Sequence, residues 1–211
     1  MSFAQIFRTA DATVPVAAAP ALKVVVVSGS LQPPSKTRAL LDRVVGQLAT
    51  QRNIETTVID LAEVGSTIAT VTNRKTISPE IEALYGAVEE ADLLIVGSPI
   101  YKGSYSGLFK HFFDLIAPTA LSGVPVVLVG TGGSDRHALA LEHQFRPLFG
   151  FFNAITLPTT VYAIESDFAA GTLTSTAVED RVTRVVGEVL AVTPAALHRD
   201  RRASLRLAAT A

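Results

Sequence analysis

The chain has 211 residues, with 18 Lys and Arg, 19 Asp and Glu, no Cys and 48% hydrophobic residues. This length suits one α/β domain with a sizeable core, and the absence of Cys excludes disulfide scaffolds, cysteine-ligated metal centres and thiol nucleophiles. The formal net charge of −1 argues against nucleic acid as a partner, because such proteins neutralise many phosphates.

The two ends of the chain differ from its middle. Residues 1–21 carry only Arg8 and Asp11 as charges and lack the basic start and apolar block of a secretory signal, so we expect a flexible N-terminal arm on a cytoplasmic protein. No apolar run approaches the roughly 20 residues that a membrane-spanning helix needs. Residues 198–211 hold four Arg and one Asp and are predicted to be a solvated basic tail, with an inter-subunit or anionic contact as the alternative. The predicted domain is therefore 22–197.

Five segments have the pattern of β-strands. Leu22 to Val27 is a nearly continuous apolar run that ends in Ser-Gly-Ser, which is typical of a strand buried on both faces of a parallel sheet. Asp92 to Gly97 and Val124 to Gly130 repeat this pattern, Glu55 to Ile59 is weaker, and a last strand is predicted within Ala154 to Ala163.

Apolar residues at helical spacing lie between the predicted strands. Spacings of three and four residues indicate helices around residues 40–48, 81–88 and 178–189. Apolar helices are also predicted over Leu108 to Ile116 and over Leu139 to Phe152. These two helices are more apolar than a one-sided monomer helix requires, so we expect a homo-oligomer.

The alternation of strand and helix predicts an α/β fold with a parallel sheet, right-handed crossovers and helices on both faces. Residues 62–79 are the one long connection without clear periodicity. In open sheets of this kind a ligand binds beyond the carboxyl ends of the strands. The loops after the first, third and fourth strands are therefore the candidates for a site.

The first loop, Ser28 to Arg38, is rich in hydroxyls and leads into a helix. Backbone N–H groups, hydroxyls and the positive end of the helix dipole favour a phosphate there. Gly29 is the only glycine in the loop, so neither the dinucleotide fingerprint nor the P-loop is present. The alternative is that Ser35 or Thr37 only caps the helix, but capping explains one hydroxyl and not Ser30, Ser35 and Thr37 together.

The second loop, Gly97 to Gly107, follows the third strand. Pro99 and the nearby glycines favour an extended backbone beside a flat heterocycle, and Tyr101 offers an aromatic wall, unless it is an ordinary exposed loop aromatic. The segment nearly matches the hydrolase motif G-x-S-x-G, but Tyr105 stands at the position of the nucleophile.

The third loop, Gly130 to His137, contains Gly132 and Gly133 directly after a buried strand, which indicates close approach of the backbone to a ligand. Asp135 is predicted to cap the following helix rather than to act in catalysis. His111 and His143 each stand alone on a predicted helix, and no cluster has the spacing of a metal site.

The segments GSLQPPSKT, SPIYKGSYSGLFKHFFDLI and VGTGGSDRHALALEHQFRPLFG together resemble the NAD(P)H-dependent FMN reductase family of flavodoxin-like proteins. The similarity runs over residues 22–190 and looks strongest to the FMN reductases of two-component alkanesulfonate and methanesulfonate monooxygenase systems. It implies a flavodoxin-like, doubly wound, five-stranded parallel sheet in the order 2-1-3-4-5.

The resemblance also implies the residues that bind FMN. The first loop would hold the phosphate, the second would lie along the isoalloxazine ring and the ribityl chain, and the third would line the other edge of the flavin. The implied residues are Ser30, Ser35, Lys36 and Thr37 in the first loop, Pro99, Ile100, Tyr101 and Lys102 in the second, and Thr131, Gly132 and Gly133 in the third.

One residue of the fourth predicted helix carries a further implication. In the sulfonate-type reductases a one-residue π insertion lies at a tetramer interface near the flavin, and His143 aligns with it. An extra residue in a helix re-aims a side chain, which makes a π-bulge at a functional site physically reasonable. The resemblance thus favours a tetramer, with a dimer as the other form of oligomer considered.

The function that the resemblance implies is hydride transfer from NADH or NADPH to FMN, followed by delivery of reduced FMN to a partner monooxygenase. The cofactor carries this chemistry, so no catalytic acid or base is required. The alternatives are an FMN-containing quinone, azo or chromate reductase that retains its flavin, a flavodoxin-type electron carrier, and a non-enzymatic nucleotide-binding module. The near-neutral charge disfavours the carrier.

Overall fold

The computed structural model describes residues 21–193 of the chain. Its main sheet is parallel and has the order β2-β1-β3-β4-β5, with β6 also paired to β4. This order confirms the flavodoxin-like prediction. The strands are β1 (Leu22–Ser28), β2 (Ile54–Asp60), β3 (Leu93–Pro99), β4 (Pro125–Gly132), β5 (Ile155–Thr156) and β6 (Val161–Ile164).

Six α-helices and a small antiparallel hairpin complete the described chain. The helices are α1 (Lys36–Ala49), α2 (Leu61–Ile68), α3 (Pro79–Glu89), α4 (Gly107–Asp114), α5 (Arg146–Phe151) and α6 (Thr176–Val192). A π-helix, Leu141–Phe145, precedes α5. The hairpin consists of β7 (Phe168–Ala169) and β8 (Thr172–Leu173).

The sheet separates two hydrophobic cores because successive side chains of a strand point to opposite faces. Val24 and Val26 of β1 pack with α1 and α6 on one face, whereas Val25 and Val27 pack with α2, α3, α4 and α5 on the other. All four valines are buried. This explains why β1 reads as a continuous apolar run instead of an alternating one.

The edge of the sheet beside β4 is formed by two short strands and not by the single strand predicted within residues 154–163. Two short strands, β5 and β6, flank the segment 157–160. Pro158 in this segment has no N–H to donate to a ladder. The guanidinium of Arg146 donates to Thr156 Oγ1 at 2.8 Å and to the Leu157 carbonyl at 3.0 Å, so a side chain binds where a continuous strand would run.

The prediction that residues 62–79 form a connection without periodicity is wrong in its first half. Helix α2 occupies Leu61–Ile68, and the Asp60 carboxylate caps it by accepting from Ala62 N at 3.1 Å. Eight residues are too few to display the periodicity that identifies longer helices. The second half of the connection contains a 3₁₀ turn, Arg74–Thr76.

The predicted N-terminal arm, except Ala21, and the predicted basic C-terminal tail lie outside the described residues. Between residues 21 and 193, none of the helices combines the length and apolar character needed to span a bilayer.

Arg146 also joins the π-helix to the sheet, which generates a stability prediction. Its Nε donates to Glu142 Oε2 at 2.6 Å and its Nη2 to Glu142 Oε1 at 3.0 Å. Replacement Arg146→Met removes these bonds and those to β5, so it should lower the free energy of unfolding in urea by about 1–3 kcal/mol. The control Arg43→Met breaks only the partly exposed pair with Glu179 and should cost less than about 1 kcal/mol. Equal losses in the two variants would contradict this interpretation.

The pairing of Arg146 with Glu142 should also make the stabilising effect of Arg146 depend on pH. The hydrogen bonds from Arg146 hold the pKa of the Glu142 carboxyl below its usual value. A lowered carboxyl pKa contributes stability that is present above the unfolded-state pKa, about 4.3, and that is lost as the pH falls through the folded-state pKa. The stability difference between the wild type and Arg146→Met should therefore narrow below about pH 4. Urea unfolding between pH 3 and pH 7 measures it, and a pH-independent difference would contradict the assignment.

Candidate functional site

The carboxyl ends of β1, β3 and β4 lie side by side at one edge of the sheet. Ser28 of β1 pairs in register with Gly97 of β3, and Pro99 of β3 pairs with Thr131 of β4. The three loops predicted to form a site therefore start from adjacent strands. Hydrogen bonds and close packing then join the loops to one another.

The backbone of Gly29 joins the first loop to β3 and α4. Gly29 N donates to the Gly97 carbonyl at 2.6 Å. A Cβ at position 29 would lie 2.7 Å from Phe109 Cδ2 and 2.8 Å from Ser98 Cβ, closer than real Cβ atoms approach other atoms. Glycine is therefore required here for close approach.

Two buried serines strengthen this junction. Ser106 Oγ donates to the Gly29 carbonyl at 2.8 Å, and Ser106 N donates to Ser98 Oγ at 2.9 Å. Ser106 also caps α4, since its hydroxyl accepts from Phe109 N at 3.3 Å. One side chain thus fixes both the start of α4 and the position of the first loop.

Two hydroxyls of the first loop, those of Ser35 and Thr37, make hydrogen bonds within the chain and can still donate to a ligand. Ser35 caps α1 by accepting from Arg38 N at 3.1 Å. Because a hydroxyl also carries one donor, Ser35 keeps its O–H for a ligand. Thr37 Oγ1 is buried and lies 2.6 Å from Thr131 Oγ1. When Thr131 donates in this pair, the O–H of Thr37 is likewise available.

Two further serines lie at the base of the first loop. Ser30 is buried and donates to the Gln32 carbonyl at 3.3 Å. Ser28 is fully buried, and its Oγ has no hydrogen-bond partner. The alternation along β1 places Ser28 on the face that α1 covers. An unpaired buried hydroxyl at the carboxyl end of β1 fits the binding of a polar ligand group at this edge of the sheet.

The second loop is attached to β4 at one end and exposed at its tip. Ile100 N donates to the Thr131 carbonyl at 2.7 Å. Lys102 and Gly103 have φ angles of 52° and 85°, which close a tight turn. The preceding Tyr101 is 55% exposed. The structure thus joins Pro99 and Ile100 to Thr131, whereas Tyr101 and Lys102 lie on an exposed turn.

The third loop packs against Tyr162 of β6. Tyr162 OH donates to the Ser134 carbonyl at 2.7 Å, and a Cβ on Gly132 would overlap this hydroxyl. Burial raises the pKa of Tyr162, so the phenol stays protonated at neutral pH. A Cβ on Gly133 would meet open space instead. The expected cap is shifted by one residue: Ser134, and not Asp135, caps the short turn that follows.

The π-helix Leu141–Phe145 contains His143, whose side chain is exposed in the single chain. This helix touches the second loop: Gln144 Oε1 accepts from Ser104 Oγ at 3.4 Å, and the rings of Tyr105 and Phe145 are 5.2 Å apart. An irregular helix therefore lies directly against the loop that is predicted to hold the flavin ring. The interface role of His143 stays a prediction.

A cation stands where α1 begins. Lys36 Nζ lies 2.5 Å from Glu165 Oε1, although 129 residues separate them in the chain. Glu165 comes directly after β6, so its carboxylate reaches the same edge of the sheet. The hydrogen bond from the Lys36 ammonium lowers the pKa of Glu165, so this carboxyl is ionised at neutral pH.

Four residues of this site were not predicted from the sequence. The capping role of Ser106 could be predicted, since a serine before Gly-Leu-Phe is a typical helix cap. Ser98 lies in the second loop beside Pro99, but the sequence carries no signal of the hydrogen bond to Ser106 N. Tyr162 lies in β6 and Glu165 directly follows it. The sequence predicts this strand only within residues 154–163, so the contacts of both residues required the register of β6.

Comparisons with known proteins agree on one family. Residues 22–169 match the family described as NADPH-dependent FMN reductase. The chain is 48% identical over 161 residues to the NADH-dependent FMN reductase SfnF of Pseudomonas fluorescens, covering 76% of this chain and 86% of that protein. It is 48% identical over 146 residues to an FMN reductase (NADPH) of Pseudomonas aeruginosa, covering 69% and 78%. The apo crystal structure of the NADH:FMN oxidoreductase EmoB superposes with a TM-score of 0.73 at 25% identity, covering 87% and 98%.

The packing of Gly29 generates a stability prediction. Gly29→Ala should lower the free energy of unfolding by about 1–3 kcal/mol, because the added methyl group overlaps two buried side chains. Gly46→Ala is the matched control: a Cβ there meets nothing within 4 Å, and a helical Gly→Ala change should stabilise by about 0.5–1 kcal/mol. Urea unfolding measures both variants. A Gly29→Ala protein as stable as the wild type would contradict the close contact.

Proposed function

Because the chain belongs to the NADPH-dependent FMN reductase family, we propose that it is an NAD(P)H:FMN oxidoreductase that supplies reduced flavin to a partner flavin-dependent monooxygenase. The observation that carries this proposal is the junction of Thr37 and Thr131, whose hydroxyls meet at 2.6 Å where the first and third loops converge. It supports one continuous binding surface across the carboxyl ends of β1, β3 and β4.

The residues at the start of α1 fit the phosphate of FMN. Helix α1 is 14 residues long, and the positive end of its dipole favours an anion. The hydroxyls of Ser35 and Thr37 supply donors, and Lys36 supplies a charge. Ser30 can join them by exchanging the Gln32 carbonyl, to which its O–H donates at 3.3 Å, for the phosphate. Phosphate binding by Ser35 is compatible with capping, because the cap uses an acceptor site and a phosphate uses the donor.

The second and third loops fit the flavin ring and the ribityl chain. Pro99 and Ile100 continue β3 beside Thr131, which leaves extended backbone along one edge of the site. Gly133 has open space in front of it, and Tyr162 supports the neighbouring Gly132 from behind. The exposed ring of Tyr101 and the charge of Lys102 lie on the turn nearby and are proposed to cover the bound ring.

When bound, FMN supplies the hydride-accepting chemistry. The chain's own residues then need to bind, orient and exclude water from the reacting partners. Burial raises the pKa of Tyr105 and of Tyr162, so both phenols are hydrogen-bond donors and not bases at neutral pH. This agrees with a site that has no dedicated catalytic acid or base.

The remaining parts of the proposal concern partners. NADH or NADPH is the proposed hydride donor, and the proposed partner is the monooxygenase of a sulfonate system in the cytoplasm. A homo-oligomer, a dimer or a tetramer, is proposed because Leu139, just before the π-helix, and Phe151, at the end of α5, have 62% and 67% of their surface exposed. Single exposed apolar residues are ordinary, but these two lie at the ends of the continuous segment that carries His143.

The test is NAD(P)H oxidation by flavin-free protein as free FMN is added. We expect no turnover without FMN and saturation in the micromolar range, because the flavin behaves as a substrate. Flavin that stays bound through gel filtration, together with quinone-dependent turnover, would instead show a prosthetic-group reductase. Bound flavin without any NAD(P)H oxidation would show an electron carrier.

Thr37 provides a specific prediction about flavin affinity. Thr37→Val keeps the shape of the side chain and removes its donor, so the dissociation constant of FMN should rise about 10- to 100-fold, as expected for the loss of a hydrogen bond to a charged group. Thr37→Ser keeps the hydroxyl and should restore most of the affinity. Quenching of FMN fluorescence measures both variants. Equal affinities of Thr37→Val and the wild type would place the phosphate elsewhere.

A further inference from the structure

The ion pair of Lys36 and Glu165 lies at the edge of the proposed phosphate site. Lys36 stands between Ser35, which caps α1, and Thr37, which contacts Thr131. Its Nζ is 2.5 Å from Glu165 Oε1. The cation that is proposed to attract the flavin phosphate is therefore already paired with a carboxylate of the same chain.

The backbone around Glu165 fixes the carboxylate near this edge. Ile164 of β6 pairs in register with Gly132 of β4, so Glu165 is the first residue beyond the sheet. The Asp167 carboxylate accepts from Ile164 N at 2.8 Å and stabilises the short turn that begins at Glu165. The position of Glu165 is thus set by the pairing of β6 with β4 and by the hydrogen bond from Ile164 N to Asp167.

Stability alone does not explain this pair. The Glu165 side chain is 79% exposed and the Lys36 side chain is 39% exposed. Exposed ion pairs contribute little to folding, because solvent screening and lost side-chain entropy offset their attraction. The same weakness means that Lys36 can exchange Glu165 for another anion at small cost.

We infer that Glu165 competes with the phosphate of FMN for Lys36 and thereby lowers the affinity of the site for FMN. This inference rests on the proposed function, in which FMN must leave after reduction. A phosphate monoester carries nearly two negative charges at neutral pH. Glu165 therefore acts in two ways: it neutralises Lys36 in the free protein, and it repels the phosphate in the complex.

A supporting role of Glu165 in FMN binding would change the FMN affinity in the opposite direction. If Glu165 instead orients Lys36 toward the phosphate, its removal weakens FMN binding. If Glu165 has no role, its removal changes nothing beyond the general effect of one charge. The sign of the change in FMN affinity therefore decides between the roles. Riboflavin, which lacks the phosphate, provides a probe that neither Lys36 nor Glu165 should affect.

The experiment measures the dissociation constants of FMN and riboflavin by flavin fluorescence at low ionic strength. Glu165→Gln and Glu165→Ala should each bind FMN about two- to fivefold more tightly than the wild type, with riboflavin binding unchanged. The gain should shrink at high salt, since the charges are exposed. It should also shrink when Lys36 is already replaced by Gln, because no ion pair then remains to be broken.

The control variant is Glu179→Gln, which removes the same charge from the partly exposed pair in which Glu179 lies 2.7 Å from Arg43 of α1. It should leave FMN affinity unchanged. Unchanged or weaker FMN binding in Glu165→Gln would overturn the inference, as would an equal gain for riboflavin or for Glu179→Gln. A wild-type protein that binds no FMN would overturn the proposed function itself, whereas normal FMN binding with no Glu165 effect would overturn the inference alone.

Discussion

The backbone of Gly29 lies in contact with Ser98 and Phe109, and the whole edge of the sheet is arranged around this contact. It brings the first loop within reach of Ser106, whose hydroxyl binds the Gly29 carbonyl and also begins α4. The first loop in turn delivers Thr37 to Thr131. A larger residue at position 29 would overlap Ser98 and Phe109 and push the first loop away from the second.

The charges at the start of α1 are paired within the chain. Lys36 is paired with the exposed carboxylate of Glu165. Arg38, in the first turn of α1, pairs with Asp42 and Asp60. In the proposed site, recognition of the phosphate therefore depends mainly on hydroxyls and on the start of α1, and this suits the proposal that the flavin binds, is reduced and leaves.

Much of the fold and the loops of the site could be predicted from the sequence. Buried parallel strands such as β1 produce apolar runs that are hard to misread, and the glycines and hydroxyls after them mark the edge where ligands bind. Contacts between distant segments could not be predicted. The interruption at Pro158 depends on Arg146, and the pairing of Lys36 with Glu165 depends on the register of β6. Helix α2 was missed because it is short.

The most direct measurement is a crystal structure of the protein with FMN. We expect the phosphate at the start of α1, within hydrogen-bond distance of Ser35 Oγ and Thr37 Oγ1, and the ring between the second and third loops. We also expect Lys36 to have exchanged Glu165 for the phosphate. FMN bound elsewhere on the chain, or with its phosphate away from α1, would contradict the proposed site.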